Sequence, residues 1–277
     1  MQNATTHSSN HDIPVRKPGI EFDSVPRYWL NNNIAATHFF NGLNLLFPDG
    51  ERFFVKAVYD RLDRIDDPVL RAQAKGFAGQ EGQHANQHEK YFAVLRRHGY
   101  QIDTFLRRFH KFFMLSNRLL PAPLRLSITA AAEHYTATFG ANAIEDGELL
   151  ASMDPAMRKL IVWHATEEIE HKAVAFDVLR ATHPSYLLRI LGFVIATLAL
   201  FGWSIAGARM LIRQDRVPRK LVEEHRRFMF ERNDRRAVKK LRAAVLAYFR
   251  PSFHPNETDE LEAARRRLAE EGLPVAA

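Results

Sequence analysis

Residues 154–171 read DPAMRKLIVWHATEEIEH, and residues 67–84 read DPVLRAQAKGFAGQEGQH. Each begins with Asp-Pro, continues through an apolar residue to Arg, and ends on Glu-x-x-His. Glu81 and Glu168 both lie 14 positions after their leading Asp, and His84 and His171 both lie 17 after it (81 − 67 = 168 − 154 and 84 − 67 = 171 − 154). An Asp before a Pro is a strong helix start, because the carboxylate caps free N–H groups and Pro has none to satisfy. Glu and His three positions apart then share one helical face. The repeat predicts two related helices, each with a Glu-x-x-His. In WHATEEIEHK (163–172), two His and three Glu interrupt a segment that otherwise reads as buried. Such a segment is costly unless those groups are compensated.

The preceding helix in each half supplies a partner. In an antiparallel hairpin, residues equidistant from the turn sit at one height. The midpoint of Glu51 and Glu81 is 66, inside the Asp66-Asp67-Pro68 turn, and that of Glu133 and Glu168 falls at 150–151, inside ELLASMDP. Each hairpin therefore sets a lone Glu level with a Glu-x-x-His. One Glu from each of two helices and Glu-x-x-His from each of two others is the ligand set of dimetal-carboxylate four-helix bundles. The expected ligands are Glu51, Glu81, His84, Glu133, Glu168 and His171. Four carboxylates can neutralise two divalent ions, and oxygen with imidazole suits Fe, with Mn or Zn as alternatives.

Other ionisable groups share these faces. His88 and His164 lie one turn from the expected ligands and are read as partners that orient them or as extra ligands. Glu167 and Glu170 form a competing i, i+3 pair; the repeat selects Glu168 instead, leaving these two as candidate catalytic carboxylates. His134 points about 100° away from Glu133 and reads as core or surface; Tyr59, Tyr91 and Tyr135 are candidate redox tyrosines, with core packing the commoner role.

The rest of the 277 residues agrees with an all-α protein. Glycine is scarce, strand-like alternation is rare, and 46% of residues are hydrophobic. There is no cysteine, which excludes disulfides, thiolate metal sites and thiol nucleophiles. Helices are expected over 27–47, 49–65, 68–98, 102–120, 123–146 and 154–183, with further charged helices after 216, the last around DELEAARRRLAEEG (259–272). Residues 1–18 are polar and read as disordered; no apolar signal segment follows the first Met, so the cytoplasmic side is expected.

At FAGQEGQHANQHEKY (77–91), AAEHYTA (131–137) and WHATEEIEHKAVAFDV (163–178), the sequence resembles the bacterial family named "predicted metal-dependent hydrolase", placed among ferritin-like proteins. The resemblance runs over about residues 20–230. It implies a ferritin-like fold, metal dependence and hydrolysis, and all six positions of the dimetal pattern are present. His88 and His164 are additions to the minimal pattern.

Residues 190–208, ILGFVIATLALFGWSIAGA, are 19 uncharged positions in a row, near the length that spans a bilayer. From Arg209 to Arg250 there are 14 Lys/Arg against 5 Asp/Glu, a local +9; the whole chain carries +7, so the remainder is slightly acidic (7 − 9 = −2). The positive-inside rule then puts the C-terminal side in the cytoplasm, and a single span would leave the metal-binding helices outside without an export signal. The segment is expected either to enter a membrane from one face or to be a buried helix covering the bundle. Membrane association, on the cytoplasmic side of the inner membrane, is the preferred reading, with the basic tail meeting anionic lipid. Nucleic acid is a poor partner: aromatics in the basic stretch are few (Phe228, Phe230, Tyr248, Phe249) and no binding motif appears.

The expected organisation is a disordered 1–18, a ferritin-like dimetal bundle over 19–185, an apolar helix over 186–212 and a basic helical tail over 213–277. The ligand architecture favours an O2-activating Fe or Fe/Mn oxidase or oxygenase acting on a small hydrophobic or lipid-like substrate. The alternative is hydrolysis, with the metals lowering the pKa of a water and Glu167 or Glu170 as general base. Metal storage is a third, weaker reading. A homo-oligomer is compatible with all of these.

Overall fold

Both Asp-Pro starts are helix caps. Asp67 accepts a hydrogen bond from the Val69 N–H and Asp154 from the N–H groups of Ala156 and Met157. The computed structural model describes residues 12–232 and 235–276, with side chains outside 228–236. They form helices α1 (Ile34–Asn44), α2 (Phe47–Tyr59), α3 (Pro68–Arg97), α4 (Asp103–Leu119), α5 (Ala122–Glu145), α6 (Gly147–Ala151), α7 (Pro155–His171), α8 (Val174–Thr182), α9 (Tyr186–Asp215), α10 (Arg219–Arg232), α11 (Arg235–Tyr248) and α12 (Leu261–Glu270). No strand is present among the described residues; a lone bridge joins Leu30 and Met153.

Four helices carry the repeat and its partners. α2 packs on α3 and α5 on α7, as the two hairpins require, and the pairs meet through α2 with α5 and α3 with α7. Along α3 the composition changes twice. Leu70, Ala74 and Phe77 join one apolar cluster, Tyr91, Phe92, Val94 and Leu95 join another, and the ionisable residues Glu81, His84 and His88 are buried between them. The polar cluster therefore sits inside the protein with apolar packing on either side, where an uncompensated charge is most expensive.

Several boundaries differ from the sequence expectation, among them α2, which runs over Phe47–Tyr59 and not 49–65. The first helix begins at Ile34, not Arg27: Asn31 and Asn32 have positive φ (47° and 53°), and Asn33 caps the helix by accepting from Ala36 N–H. Asn tolerates that left-handed region better than most residues. The helix from Pro155 does not run on to 183 but stops at His171, and α8 resumes at Val174. Of the stretch expected to be disordered, residues 12–18 pack against the helices. Ile13 lies against Gly76, Val15 against Gly79, and Arg16 is buried.

α9 is longer than the apolar stretch that foretold it and covers α5 and α1. Small residues allow the close approach. A Cβ at Gly42 of α1 would collide with the Ser204 carbonyl of α9, and one at Gly192 of α9 with Ser127 of α5. Its last residue, Asp215, is anchored by Tyr100 Oη at 2.5 Å, His38 Nε2 at 2.6 Å and Arg27 Nη2 at 2.9 Å. The basic tail folds back: Tyr248, Phe253, Ala264 and Leu268 are buried in the same two apolar clusters. The boundaries expected at 186 and 213 thus do not separate independent cores. Phe228 and Phe230 lie outside the described side chains.

Candidate metal centre

The six expected ligands meet. α2 supplies Glu51 from its first turns, α3 supplies Glu81 and His84, α5 supplies Glu133, and α7 supplies Glu168 and His171, all buried. His171 Nε2 lies 3.2 Å from Glu133 Oε2, 3.3 Å from Glu81 Oε1 and 3.5 Å from Glu168 Oε2. His84 Nδ1 lies 3.7 Å from both Glu81 Oε2 and Glu168 Oε1. Glu51 closes the group from the far side, with Oε1 at 3.9 Å from His164 Nε2. Ligand atoms of Glu51, Glu81 and His84, and those of Glu81, Glu168 and His171, fall within 4.8 Å of one another.

These atoms have nothing else to bind. Both oxygens of Glu51, Glu81 and Glu133, together with His84 Nδ1 and His171 Nε2, are buried without a hydrogen-bond partner among the described residues. The other ring nitrogens are committed: His84 Nε2 to Glu167 Oε2 at 3.0 Å, and His171 Nδ1 to Gln80 Oε1 at 2.8 Å. Those bonds leave His84 Nδ1 and His171 Nε2 as the nitrogens that face the carboxylates, as in ligating imidazoles; without a metal His171 carries a proton there, which a bound cation would replace. Buried polar groups are almost always paired, so eight unpaired atoms converging on one volume fit a pair of cations.

The charges say the same. Burial, then the charges of Glu168 and Glu133, push Glu51 well above the carboxylate range. Burial and Glu133 do the same to Glu81, and burial with Glu168 raises Glu133 to about 7. Burial would lower His171, but Glu133 and Glu168 outweigh it and raise the imidazole to about 10. Four carboxylates this close repel one another in a medium that screens them poorly.

His164 and His88 form a hydrogen-bonded chain that runs from Asn44 to Glu168. Asn44 Nδ2 donates to the Phe40 carbonyl, so its Oδ1 accepts from His88 Nδ1 at 2.7 Å. His88 Nε2 then accepts from His164 Nδ1 at 2.6 Å. The remaining ring nitrogen, His164 Nε2, lies 2.7 Å from Glu168 Oε1. Either a proton on one of the two atoms or a cation beside both makes so close an approach favourable. His164 is thus placed like a ligand, and His88, with both nitrogens engaged, like its support.

Glu167 and Glu170 are not placed as general bases. Glu167 Oε1 accepts from Arg16 at 3.1 Å and from the Trp163 indole at 3.0 Å, while its Oε2 holds His84. Glu170 accepts two bonds from Arg16, one from Gln80 at 2.9 Å and one from Arg265 at 3.1 Å. Burial raises Glu167 to about 8 despite Arg16; in Glu170 the bonds from Arg16 outweigh burial and lower it. Glu167 is engaged by Arg16, Trp163 and His84 and Glu170 by Arg16, Gln80 and Arg265, so neither is turned toward a reacting atom. Tyr91, Tyr135 and His134 are packing residues, with Tyr91 bonded to Asn41, Tyr135 to Thr197 and His134 to the Ala244 carbonyl, whereas Tyr59 is exposed.

Sequence reasoning missed Arg16, Gln80, Asn44 and Thr136, whose hydroxyl donates to Glu168 Oε2. Gln80 carries a faint signal as the neighbour of Glu81. Arg16 carries none, since it lies in a polar segment far from every motif.

The family model described as "predicted metal-dependent hydrolase" matches residues 14–259. The chain belongs to that family. The match takes in the repeat, α9 and most of the basic tail, so these are family features and not additions to a smaller unit. The family description implies metal dependence and hydrolysis, and it backs the hydrolytic alternative better than the oxidative reading favoured from the ligand pattern. No curated protein and no solved structure matches the chain.

Proposed function

We propose that this member of the predicted metal-dependent hydrolases is an enzyme built on a ferritin-like bundle of α2, α3, α5 and α7. Two divalent ions would be held by Glu51, Glu81, His84, Glu133, Glu168 and His171, with His164 as a third imidazole. The observation that carries this reading is the set of eight buried, unpartnered ligand atoms converging on one volume. Bound ions would supply Lewis acidity and make a water nucleophilic near neutral pH. The chain's own groups do the rest. Glu167 and Gln80 keep His84 Nδ1 and His171 Nε2 facing the carboxylates, and Arg16 steadies Glu167 and Glu170. Thr136 and His164 orient Glu168. Glu51 lines both the cluster and a neighbouring apolar cavity, which places it to meet a substrate.

A second reading, O2-dependent oxidation with iron, is favoured by that cavity, because an apolar approach protects a reactive centre from water. Metal analysis of purified protein tests the proposal. About two ions per chain are expected, lost in the Glu81→Ala, Glu168→Ala double variant; a metal-free wild type that cannot be loaded would overturn it. Ester hydrolysis with Zn or Mn without oxygen supports the hydrolase, whereas oxygen consumption by the iron form supports the oxidase.

A further inference from the structure

Beside the cluster, α2, α4, α5 and α9 enclose a partly open cavity of about 80 Å3. A single water needs roughly 10–15 Å3 by this kind of measure, so the space takes a run of several methylene-sized groups. Its walls are hydrocarbon: Phe53, Phe113, Ile128, Ile195 and Leu200 are typical, and the polar side chains are limited to Glu51, Ser116 and Thr136. Two of those three belong to the candidate centre, since Glu51 is an expected ligand and Thr136 bonds Glu168. The cavity is a greasy passage with its polar end at the carboxylates.

The helices that line this passage are also apolar on the outside. On α9, Leu187, Leu191, Val194, Leu198 and Ile205 form one exposed stripe at helical spacing, with Leu187 at 78% and Leu198 at 71% exposure. Ile195 and Ala199, beside it on the same helix, line the cavity. On α4, Met114, Leu115 and Leu119 are exposed (Leu119 at 65%), adjoining Ser116 and Leu120 of the cavity wall. From Leu187 to Ile205 the stripe runs about 27 Å at 1.5 Å per residue. α9 is long and apolar enough to cross a bilayer, but one face of it, with Gly192, Phe193, Ala196, Ser204 and Gly207, is buried against the bundle. An exposed apolar stripe on a helix fixed to a protein surface matches a helix lying in a membrane interface. Charge favours the same occupant. Arg118 and Lys111 of α4, and Arg209, Arg213, Arg216, Arg219 and Lys220 at the end of α9 and beyond, are exposed around the apolar surface, as expected for anionic headgroups.

We propose that α4 and α9 rest on an anionic lipid surface and that the cavity takes the hydrocarbon chain of a lipid acyl group, guiding it to Glu51. This deepens the enzyme reading above, on which it rests for the role of the centre, by naming the substrate class. The test is binding and needs no turnover. Full-length protein is titrated with cis-parinaric acid, a fluorescent fatty acid, and separately sedimented with vesicles of phosphatidylcholine with or without phosphatidylglycerol. Wild type should bind the acid saturably, and Ala199→Phe, which fills the cavity away from the proposed ligands, should bind roughly tenfold more weakly. The Leu191→Glu, Leu198→Glu variant should keep fatty-acid binding yet lose sedimentation with phosphatidylglycerol vesicles, which wild type shows more strongly than with phosphatidylcholine alone. Circular dichroism confirms that both variants fold. Equal binding by Ala199→Phe, or no preference for anionic vesicles, overturns the proposal. So does a wild-type dimer, seen by light scattering, that the double Glu variant dissociates, because the stripe then belongs to a second copy. Fatty-acid binding by the metal-free Glu81→Ala, Glu168→Ala protein would support the cavity even if the metal reading failed.

Discussion

Arg16 grips Glu170 with both arms of its guanidinium, Nη1 to Oε2 at 2.7 Å and Nη2 to Oε1 at 2.8 Å, with both side chains fully buried. Its Nη1 also reaches Glu167, and its Nε and Nη2 donate to the Val275 carbonyl. A residue near the start of the chain therefore ties the C-terminal segment to the two carboxylates that steady His84 and His171.

Arg16→Ala should cost about 3–5 kcal/mol in urea unfolding, because it takes the guanidinium from buried Glu167 and leaves buried Glu170 to Arg265. It should also weaken metal binding by roughly 10–100-fold through the loosened imidazoles. Arg16→Lys should restore little of either, since an ammonium cannot make the forked contact. Metal affinity unchanged in a folded Arg16→Ala protein would show that these contacts do not position the ligands.

His164 and His88 should separate in a metal titration. If His164 Nε2 is a ligand, His164→Ala removes a bond to metal and lowers affinity steeply. His88→Asn removes only a hydrogen bond to His164 and should cost less. The reverse order would exchange their roles.

Asp215 gives a pH signature away from the centre. Burial would raise its carboxyl, but hydrogen bonds from His38, Tyr100 and Arg27 outweigh this and lower it to about 2 from an ordinary 3.8. A depressed carboxylate stabilises the fold above its unfolded pKa and loses that contribution as pH falls through its folded one. The stability advantage of wild type over Asp215→Asn should therefore be full above about pH 4 and shrink toward pH 2. Denaturant midpoints measured across that range check it; an advantage independent of pH would mean the charge is not what anchors α9.

Gly42→Ala should destabilise by about 1–3 kcal/mol, because the new methyl meets the Ser204 carbonyl and Ala208, neither of which can swing aside. Ala at Gly202, which meets no neighbour, should be near neutral or slightly stabilising. Equal midpoints for the two variants would mean that α9 is not held so closely to α1.

Much of the site is legible in the chain because it is local or symmetric. Asp67-Pro68 and Asp154-Pro155 start helices through their own side chains, and 3.6-residue periodicity sets Glu81 with His84 and Glu168 with His171 whatever surrounds them. Hairpin geometry then levels Glu51 with Glu81 and Glu133 with Glu168. What the sequence left open depends on contacts between distant segments. Glu167 and Glu168 are neighbours in one motif, and only the packing of α7 turns one toward the other ligands and the other toward Arg16, 151 residues away in sequence. The left-handed Asn31 and Asn32, the hydrogen-bonded chain from Asn44 to His164, and the burial of one face of α9 with its Leu stripe left exposed are likewise tertiary. Ligand spacing follows from a helix's own geometry, whereas the direction of a buried charge or lone pair is decided by whichever partner the fold brings to it.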